Sequence, residues 1–164
     1  MKRKGFTLVE LLIVLMIIGV LSASMSLVNG KATASAKVST IISNLRTLKS
    51  AAMLFYADYY MESSDTEFTT DNITNASADY LGTAAASMTG YGFLITTSAP
   101  KKWYVYYYLG HNDVKNDPDI NSIKKKLIAN AKKVGLLGSD KTTAAPTAAF
   151  GSDTKHTYAF LQVR

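Results

Sequence analysis

The sequence predicts an α+β fold in which a long N-terminal helix packs on a small antiparallel β-sheet, with one additional short helix. Three observations lead to this prediction. The first sixty residues contain no proline and place apolar side chains at helical spacing. Runs rich in aromatic and β-branched residues follow at 91–97 and 103–109, and an alternating run ends the chain at 156–164. A lysine-rich stretch at 118–134 has the periodicity of a second helix.

Residues 6–30 form an apolar run of 25 residues in which Glu10 is the only charged side chain. As a helix, this run would be about 38 Å long, enough to cross a hydrocarbon core of ~30 Å. Three cations precede it, Lys2, Arg3 and Lys4, and they predict that the amino terminus stays in the cytoplasm. We therefore expect one transmembrane segment in the inner membrane, with the rest of the chain exported.

Glu10 needs a partner, because a carboxylate deep in a membrane-spanning helix costs about 2.5–3.5 kcal/mol. The run itself contains no cation. If the chain is cut after Gly5, the new α-amino group of Phe6 is a positive charge at the same membrane depth. Glu10 of a neighbouring chain could then pair with it, which implies self-assembly.

The register of these features resembles the prepilin processing motif of type IV pilins and type II secretion pseudopilins. The matching residues are Lys4-Gly5, then Phe6-Thr7-Leu8-Val9-Glu10 and the apolar run that follows. The resemblance is close over residues 1–60 and architectural beyond them. It implies that a prepilin peptidase cuts between Gly5 and Phe6 and methylates the Phe6 amine. It also implies that Phe6 and Glu10 guide assembly into a homopolymer.

The resemblance implies three parts of the chain. Residues 1–5 are a cleaved leader, and residues 6–30 are the transmembrane and assembly half of the helix, which we term the apolar half. Residues 31–164 are the exported globular domain, including the second half of the helix. An ordinary signal peptide is the alternative, with an apolar core at 11–21 and a cut after Ser24 that would release a soluble binding domain. Glu10 argues against it, because an uncompensated acid serves no purpose in export.

Composition limits the remaining possibilities. The chain has 164 residues, 48% of them apolar, which suits one domain with a real core beside the helix. Removing residues 1–5 leaves 15 Lys and Arg against 12 Asp and Glu, a balance of +3 that permits contact with nucleic acid without predicting it. The chain has no cysteine, whereas many pilins close their C-terminal region with a disulfide. Another feature must therefore hold this region.

The second half of the helix has one apolar stripe, which should anchor the exported domain. We expect a single helix from about residue 6 to residue 60, since nothing in the sequence obliges a break. Each fully buried Leu, Ile or Phe of the stripe would contribute ~1.5–3 kcal/mol. Its members are Val38, Ile41, Ile42, Leu45, Leu48, Ala52, Phe55, Tyr56 and Tyr59.

The runs at 91–97 and 103–109 predict an antiparallel hairpin after a polar stretch at 61–90, which in the resembling family is a variable surface. Alternation places one row of side chains towards the helix: Trp103, Val105, Tyr107 and Leu109. Tyr104, Tyr106 and Tyr108 form the opposite row. A later helix or loop covering this tyrosine row is the favoured interpretation. A subunit interface and a platform for sugars or single-stranded nucleic acid are the alternatives.

In the second helix, Asp117 is the expected N-cap, Pro118 the first helical residue and Gly135 the stop. Its expected buried face comprises Ile120, Ile123, Leu127, Ile128, Ala131 and Val134. Five lysines also crowd this helix: Lys124, Lys125, Lys126, Lys132 and Lys133. We interpret them as a solvated face. The alternative is a phosphate-binding patch, which would suit a pilin that captures DNA.

The final run, 156–164, should be a strand that enters the sheet and closes the domain without a disulfide. Secretion pseudopilins also use calcium to fix a C-terminal loop, and five aspartates raise that alternative here: Asp113, Asp117, Asp119, Asp140 and Asp153. They form no recognisable calcium loop, so we expect no cofactor. We expect no catalysis either, because His111 and His156 are the only histidines and no catalytic motif occurs.

These features predict a structural subunit of a type IV pilus-like filament, with adhesion, motility or DNA uptake as its use. Its expected partners are other copies of itself, the prepilin peptidase, the assembly machinery and, before assembly, membrane lipid. A pseudopilin of a type II secretion system is the main alternative. The absence of cysteine and the final strand favour the pseudopilin, whereas the long polar stretch, the tyrosine row and the lysines favour a surface pilin.

Overall fold

The computed structural model describes residues 6–60, 80–81, 88–97, 100–152 and 155–164, without the side chains of 25–31, 59–60 and 112–113. The expected leader at 1–5 and most of the polar stretch at 61–90 lie outside this range. The elements, in chain order, are α1 (Leu8–Tyr60), β1 (Tyr91–Ile95), β2 (Trp103–Tyr108), α2 (Asn112–Lys115), α3 (Ile120–Val134), β3 (Leu136–Ser139), β4 (Ala148–Ala149) and β5 (Tyr158–Gln162). They form the predicted α+β fold.

Helix α1 is continuous over 53 residues, as predicted, and is therefore about 80 Å long. Every described side chain before residue 25 is exposed, and burial begins at Ala34. From there a stripe at spacings of three and four contacts the rest of the domain: Ala34, Val38, Ile41, Leu45, Leu48, Ala52 and Phe55. Ile42 and Tyr56 lie half-buried at its margins. The predicted stripe is confirmed, except at Tyr59, whose side chain lies outside the description.

The sheet has five antiparallel strands in the order β1-β2-β5-β3-β4. The predicted hairpin is present, with Phe93 opposite Val105. Trp103, Val105 and Tyr107 are buried in the core cluster shared with α1. The alternation along β2 is therefore the predicted one.

The C-terminal strand closes the domain, as expected. β5 lies between β2 and β3, so it is the central strand of the sheet. Lys49 of α1 donates from Nζ to the carbonyl oxygen of Gln162 at 2.9 Å. The Arg164 guanidinium lies 4.3 Å from the centre of the Tyr56 ring, and that ring meets Trp103 edge-on at 5.2 Å. Sheet pairing and contacts with α1 thus hold the C-terminal strand in place.

The second helix begins later than predicted. Asp117 is not its N-cap; α3 begins at Ile120, with Asp119 in the N-cap position. The reason is that the Asp117 carboxylate has two other partners. Its Oδ1 accepts from the Asp119 N–H at 2.7 Å, and its Oδ2 pairs with Lys37 Nζ. Pro118 therefore lies in a turn before the helix.

The other end of α3 is as predicted, because Gly135 ends the helix with a φ of 77°, a left-handed conformation that glycine adopts without strain. The buried face contains Ile123, Leu127 and Ala131. Ile128 was wrongly included, since it is 37% exposed; one residue beyond Leu127, it is rotated about 100° away from the core. Three short elements of the described structure were not predicted: α2, β3 and β4.

The tyrosine row is covered at one end and open at the other. Tyr104 is buried with Leu94 and Phe160 in a second cluster, against which Ala145 and Leu137 pack. Burial raises the pKa of the Tyr104 and Tyr106 hydroxyls. Tyr108 is 36% exposed and stacks on Tyr158 at 4.7 Å. The favoured interpretation, cover by a later loop, is confirmed for Tyr104.

Replacing Asp117 with asparagine should lower the melting temperature at neutral pH. The hydrogen bond from Lys37 and that from the Asp119 N–H hold the pKa of the Asp117 carboxyl below its ordinary value of 3.8. Because the folded pKa is the lower one, the ion pair stabilises the protein fully above pH 3.8 and progressively less as the pH falls below it. The melting-temperature difference between wild type and variant should therefore shrink on acidification.

Thermal unfolding of wild type, Asp117→Asn, Lys37→Met and the double variant at several pH values checks this prediction. Lys37 and Asp117 are each other's partners, so the double variant should lose little more than either single variant. Strictly additive losses would contradict the coupling.

Candidate functional site

The candidate site is the start of α1, where Thr7 and Glu10 bond reciprocally. The Thr7 N–H and the Thr7 Oγ1 hydroxyl both donate to Glu10 Oε2, at 2.9 and 2.8 Å. The Glu10 N–H donates back to Thr7 Oγ1 at 3.3 Å. This is a capping box, in which Ser or Thr and a Glu three residues later satisfy free N–H groups at a helix start. Thr7 and Glu10 therefore determine where α1 begins.

The capping box was missed in the sequence, although Thr7-Leu8-Val9-Glu10 has the required spacing. It gives Glu10 a hydrogen-bonding partner within its own chain, although the apolar run contains no cation to pair with it. Both donors from Thr7 are neutral, so they solvate the carboxylate without cancelling its charge. The negative charge is also favourable at this end of the helix, where the peptide dipoles place partial positive charge.

The helix beyond Glu10 exposes a long apolar surface. Phe6, two residues before the start of α1, is 84% exposed. The large apolar side chains from Leu8 to Leu21 are between 48% and 79% exposed. Apolar surface of this extent normally marks a site of contact with protein or lipid.

Within the part of the chain that is described, no helix has the length and hydropathy required to cross a membrane.

The structure describes two of the three predicted site residues. Gly5 lies outside the described residues, and with it the bond that would be cut. Phe6 and Glu10 both lie at the start of α1. The pairing of Phe6 in one chain with Glu10 in another stays a prediction, because it involves a second copy.

The histidine near the C terminus has a structural environment. His156 is 8% exposed, and its Nδ1 accepts from the Gly151 N–H at 3.2 Å. A Cβ at Gly138 would clash with the same nitrogen, so β3 approaches the ring closely only because residue 138 is glycine. His156 thus joins β3 to the turn after β4.

Among the described residues, the aspartates considered for calcium binding do not form a common site. Asp117 is engaged by Lys37, and Asp140 is exposed after β3; Asp153 lies outside the description. Among the described residues, no group of three or more His, Asp or Glu side chains could hold a metal ion.

Comparison with known proteins gives one match, and it lies at the same end of the chain as the capping box. Residues 1–26 match the family model described as the prokaryotic N-terminal methylation motif. No curated protein and no solved structure matches the chain. The matched range contains Gly5, Phe6 and Glu10 together with most of the apolar half.

Proposed function

We propose that the protein, which carries at residues 1–26 the signature of type IV pilin and pseudopilin prepilin-like proteins, is a structural subunit of a type IV pilus-like filament. The observation that supports this most directly is the methylation motif in register with an exposed apolar helix. The motif implies processing by a prepilin peptidase, a membrane anchor before assembly, and assembly into pilus-like filaments. A structural role without catalysis or cofactor is part of the proposal.

The proposed assembly step is charge pairing in an apolar environment. Cleavage after Gly5 creates an α-ammonium group on Phe6, which is N-methylated and remains cationic. Glu10 of the neighbouring subunit accepts this cation, while its capping box keeps the carboxylate oriented at the end of α1. Pairing offsets the cost of withdrawing both charges from water. In this proposal the exposed apolar side chains of the same helix pack in the filament core: Leu8, Leu11, Leu12, Val14, Leu15, Ile17 and Ile18.

The proposal includes two kinds of filament, which differ in the role of the exported domain. A surface pilus would display the domain outside the cell for adhesion, motility or DNA uptake. A secretion pseudopilus would keep it within the envelope, where a short filament drives protein export. The open end of the tyrosine row at Tyr108 and the exposed lysines of α3 support the surface pilus, which we place first.

Intact-mass analysis of fibres sheared from native cells tests the proposal. We expect the sheared fraction to contain a chain that begins at N-methylated Phe6. In the Gly5→Val variant we expect the uncut precursor in membranes and none in fibres, because a branched side chain replaces the glycine at the cleavage bond. A Ser22→Val variant is the matched control, since Ser22 flanks the alternative signal-peptidase cut site without touching the prepilin bond.

Each outcome has a distinct meaning. Processed protein in membranes but not in sheared fibres would favour the pseudopilin. Efficient cleavage of Gly5→Val at residue 5 would contradict the prepilin assignment. A soluble chain beginning near Met25 would instead support the released binding domain.

A further inference from the structure

A polar cavity of about 330 Å³ lies beside the end of β3, near the lower end of the ~300–1,000 Å³ range of small-molecule sites. It is formed by the end of β3, the loop before β4 and the residues that lead into β5. We call it the β3 cavity. Its lining includes hydroxyl, carboxylate, ammonium and imidazole groups: Ser139, Asp140, Thr147, Lys155 and His156. None of these residues belongs to the candidate site at the start of α1, so the two sites are distinct.

The imidazole of His156 is oriented as a hydrogen-bond donor to the β3 cavity, which it lines. Its Nδ1 accepts from the Gly151 N–H at 3.2 Å. A ring whose Nδ1 accepts in this way carries its proton on Nε2. The glycine at residue 138 lets β3 lie directly against the ring and so holds its orientation. The Nε2–H can therefore donate to a bound molecule, whereas Nε2 offers no lone pair to a cation.

The other groups of the β3 cavity both donate and accept. The Ser139 Oγ accepts from the Lys141 N–H at 3.1 Å and keeps its own proton to donate. The Thr147 hydroxyl lies at the exposed side of the cavity. Asp140 and Lys155, both exposed, bring one negative and one positive charge, so neither an anion nor a cation gains a net attraction. This set suits a neutral molecule with several hydroxyl groups.

An exposed aromatic stack lies beside the β3 cavity. Ser139 pairs with Tyr158 across β3 and β5, and Tyr158 pairs with Tyr108 across β5 and β2. Their side chains therefore form one row on the same face of the sheet. The two tyrosine rings stack at 4.7 Å and 24°, and Tyr108 is 36% exposed. We call this pair the tyrosine stack; it offers a ligand both apolar ring surface and a hydroxyl.

We propose that this end of the sheet binds a neutral glycan, with one sugar unit in the β3 cavity and the next on the tyrosine stack. The hydroxyl groups of the first sugar accept from the His156 Nε2–H and donate to the Asp140 carboxylate. The C–H face of the second packs on the exposed tyrosine ring. The inference goes beyond the proposed function, because the site does not require the filament; on a surface pilus it would serve adhesion.

Isothermal titration of the full-length protein, in a detergent without a sugar headgroup, tests the site. The probes are the methyl glycosides of glucose, galactose, mannose and N-acetylglucosamine. Sodium acetate and methylammonium chloride are the charged comparisons. We expect at least one glycoside to bind with a Kd of about 1 mM, as suits a small ligand held by a few hydrogen bonds. We expect neither ion to bind.

Two threonines of the same loop separate the β3 cavity from the surrounding surface. Thr147→Val removes a hydroxyl that lines the cavity and should weaken glycoside binding about threefold to tenfold, because one hydrogen bond is lost. Thr143→Val is the matched control, since Thr143 is exposed in the same loop outside the cavity lining. Its Kd should stay within about twofold of the wild-type value.

The tyrosine stack is tested with a disaccharide of the preferred sugar. The disaccharide should bind wild type more tightly than the single glycoside does. Tyr108→Ala should remove this gain and leave the affinity for the single glycoside unchanged, whereas Tyr108→Phe should keep the gain because it keeps the ring. The fluorescence of the buried Trp103 shows whether each variant retains its core.

Several results would overturn the proposal: no glycoside binds, acetate or methylammonium binds instead, or the two threonine variants weaken binding equally. A disaccharide gain that survives Tyr108→Ala would also overturn it, because the second sugar would then lie elsewhere. Sheared fibres test the proposed function separately. Filaments that form normally from a chain that binds no glycoside would therefore refute this inference alone.

Discussion

Replacing Glu10 with glutamine should leave a chain that is inserted and processed but assembles poorly. The carbonyl oxygen of the introduced amide can accept the same two hydrogen bonds from Thr7 that Glu10 Oε2 accepts now, so the capping box survives. The negative charge is lost, so in the proposed filament the Phe6 ammonium of the neighbouring subunit would be left without a counter-charge. Breaking a buried pair in this way costs about 3–5 kcal/mol, so the filament yield should fall by about 100-fold or more.

Three variants compared by sheared-fibre yield and intact mass separate the two roles of Glu10. Glu10→Ala removes the charge and the cap together and should fail as Glu10→Gln does. Thr7→Val removes the hydroxyl that exchanges bonds with Glu10 but keeps the charge, and should assemble far better than either. If Glu10→Gln assembles normally while Glu10→Ala does not, Glu10 acts as a helix cap and the pairing with Phe6 is refuted.

Prediction from the sequence succeeded best for elements whose side-chain pattern repeats over many residues. Helix α1 and its buried stripe were predictable because apolar residues recur at helical spacing over many turns without a proline. The hairpin of β1 and β2 was predictable because aromatic alternation and a turn-prone segment occur together. β4 could not be found in this way, since it has two residues and forms only because β3 is already beside it.

Partners distant in the sequence explain the remaining differences between the predictions and the structure. Asp117 has the sequence context of an N-cap, but Lys37, eighty positions earlier, takes its carboxylate. The central position of β5 depends on pairing with β2 and β3, which no local pattern encodes. At the candidate site, the capping box was local and could have been found from Thr7 and Glu10. The partner of the Glu10 charge could not be located, because the proposed one belongs to another chain.

Truncating Leu45 to alanine should destabilise the globular domain by about 2–5 kcal/mol, a large part of a typical stability of about 5–15 kcal/mol. Leu45 is fully buried where α1 meets the core, and its removal leaves a cavity that the surrounding sheet cannot readily fill. Leu54→Ala is the matched control on the same helix, because Leu54 is 54% exposed and surface substitutions usually change stability by less than about 0.5 kcal/mol.

Denaturant unfolding of the detergent-solubilised full-length proteins measures this difference. Trp103, the only tryptophan, is buried against Tyr56 and reports loss of the core by its fluorescence. Cleavage after Gly5 should proceed normally in Leu45→Ala, because the bond lies forty residues away, or about 60 Å along the helix. Equal destabilisation by the two variants would show that the domain does not depend on the stripe. Failure of Leu45→Ala to be processed would show that the peptidase requires the folded globular domain as well as the motif.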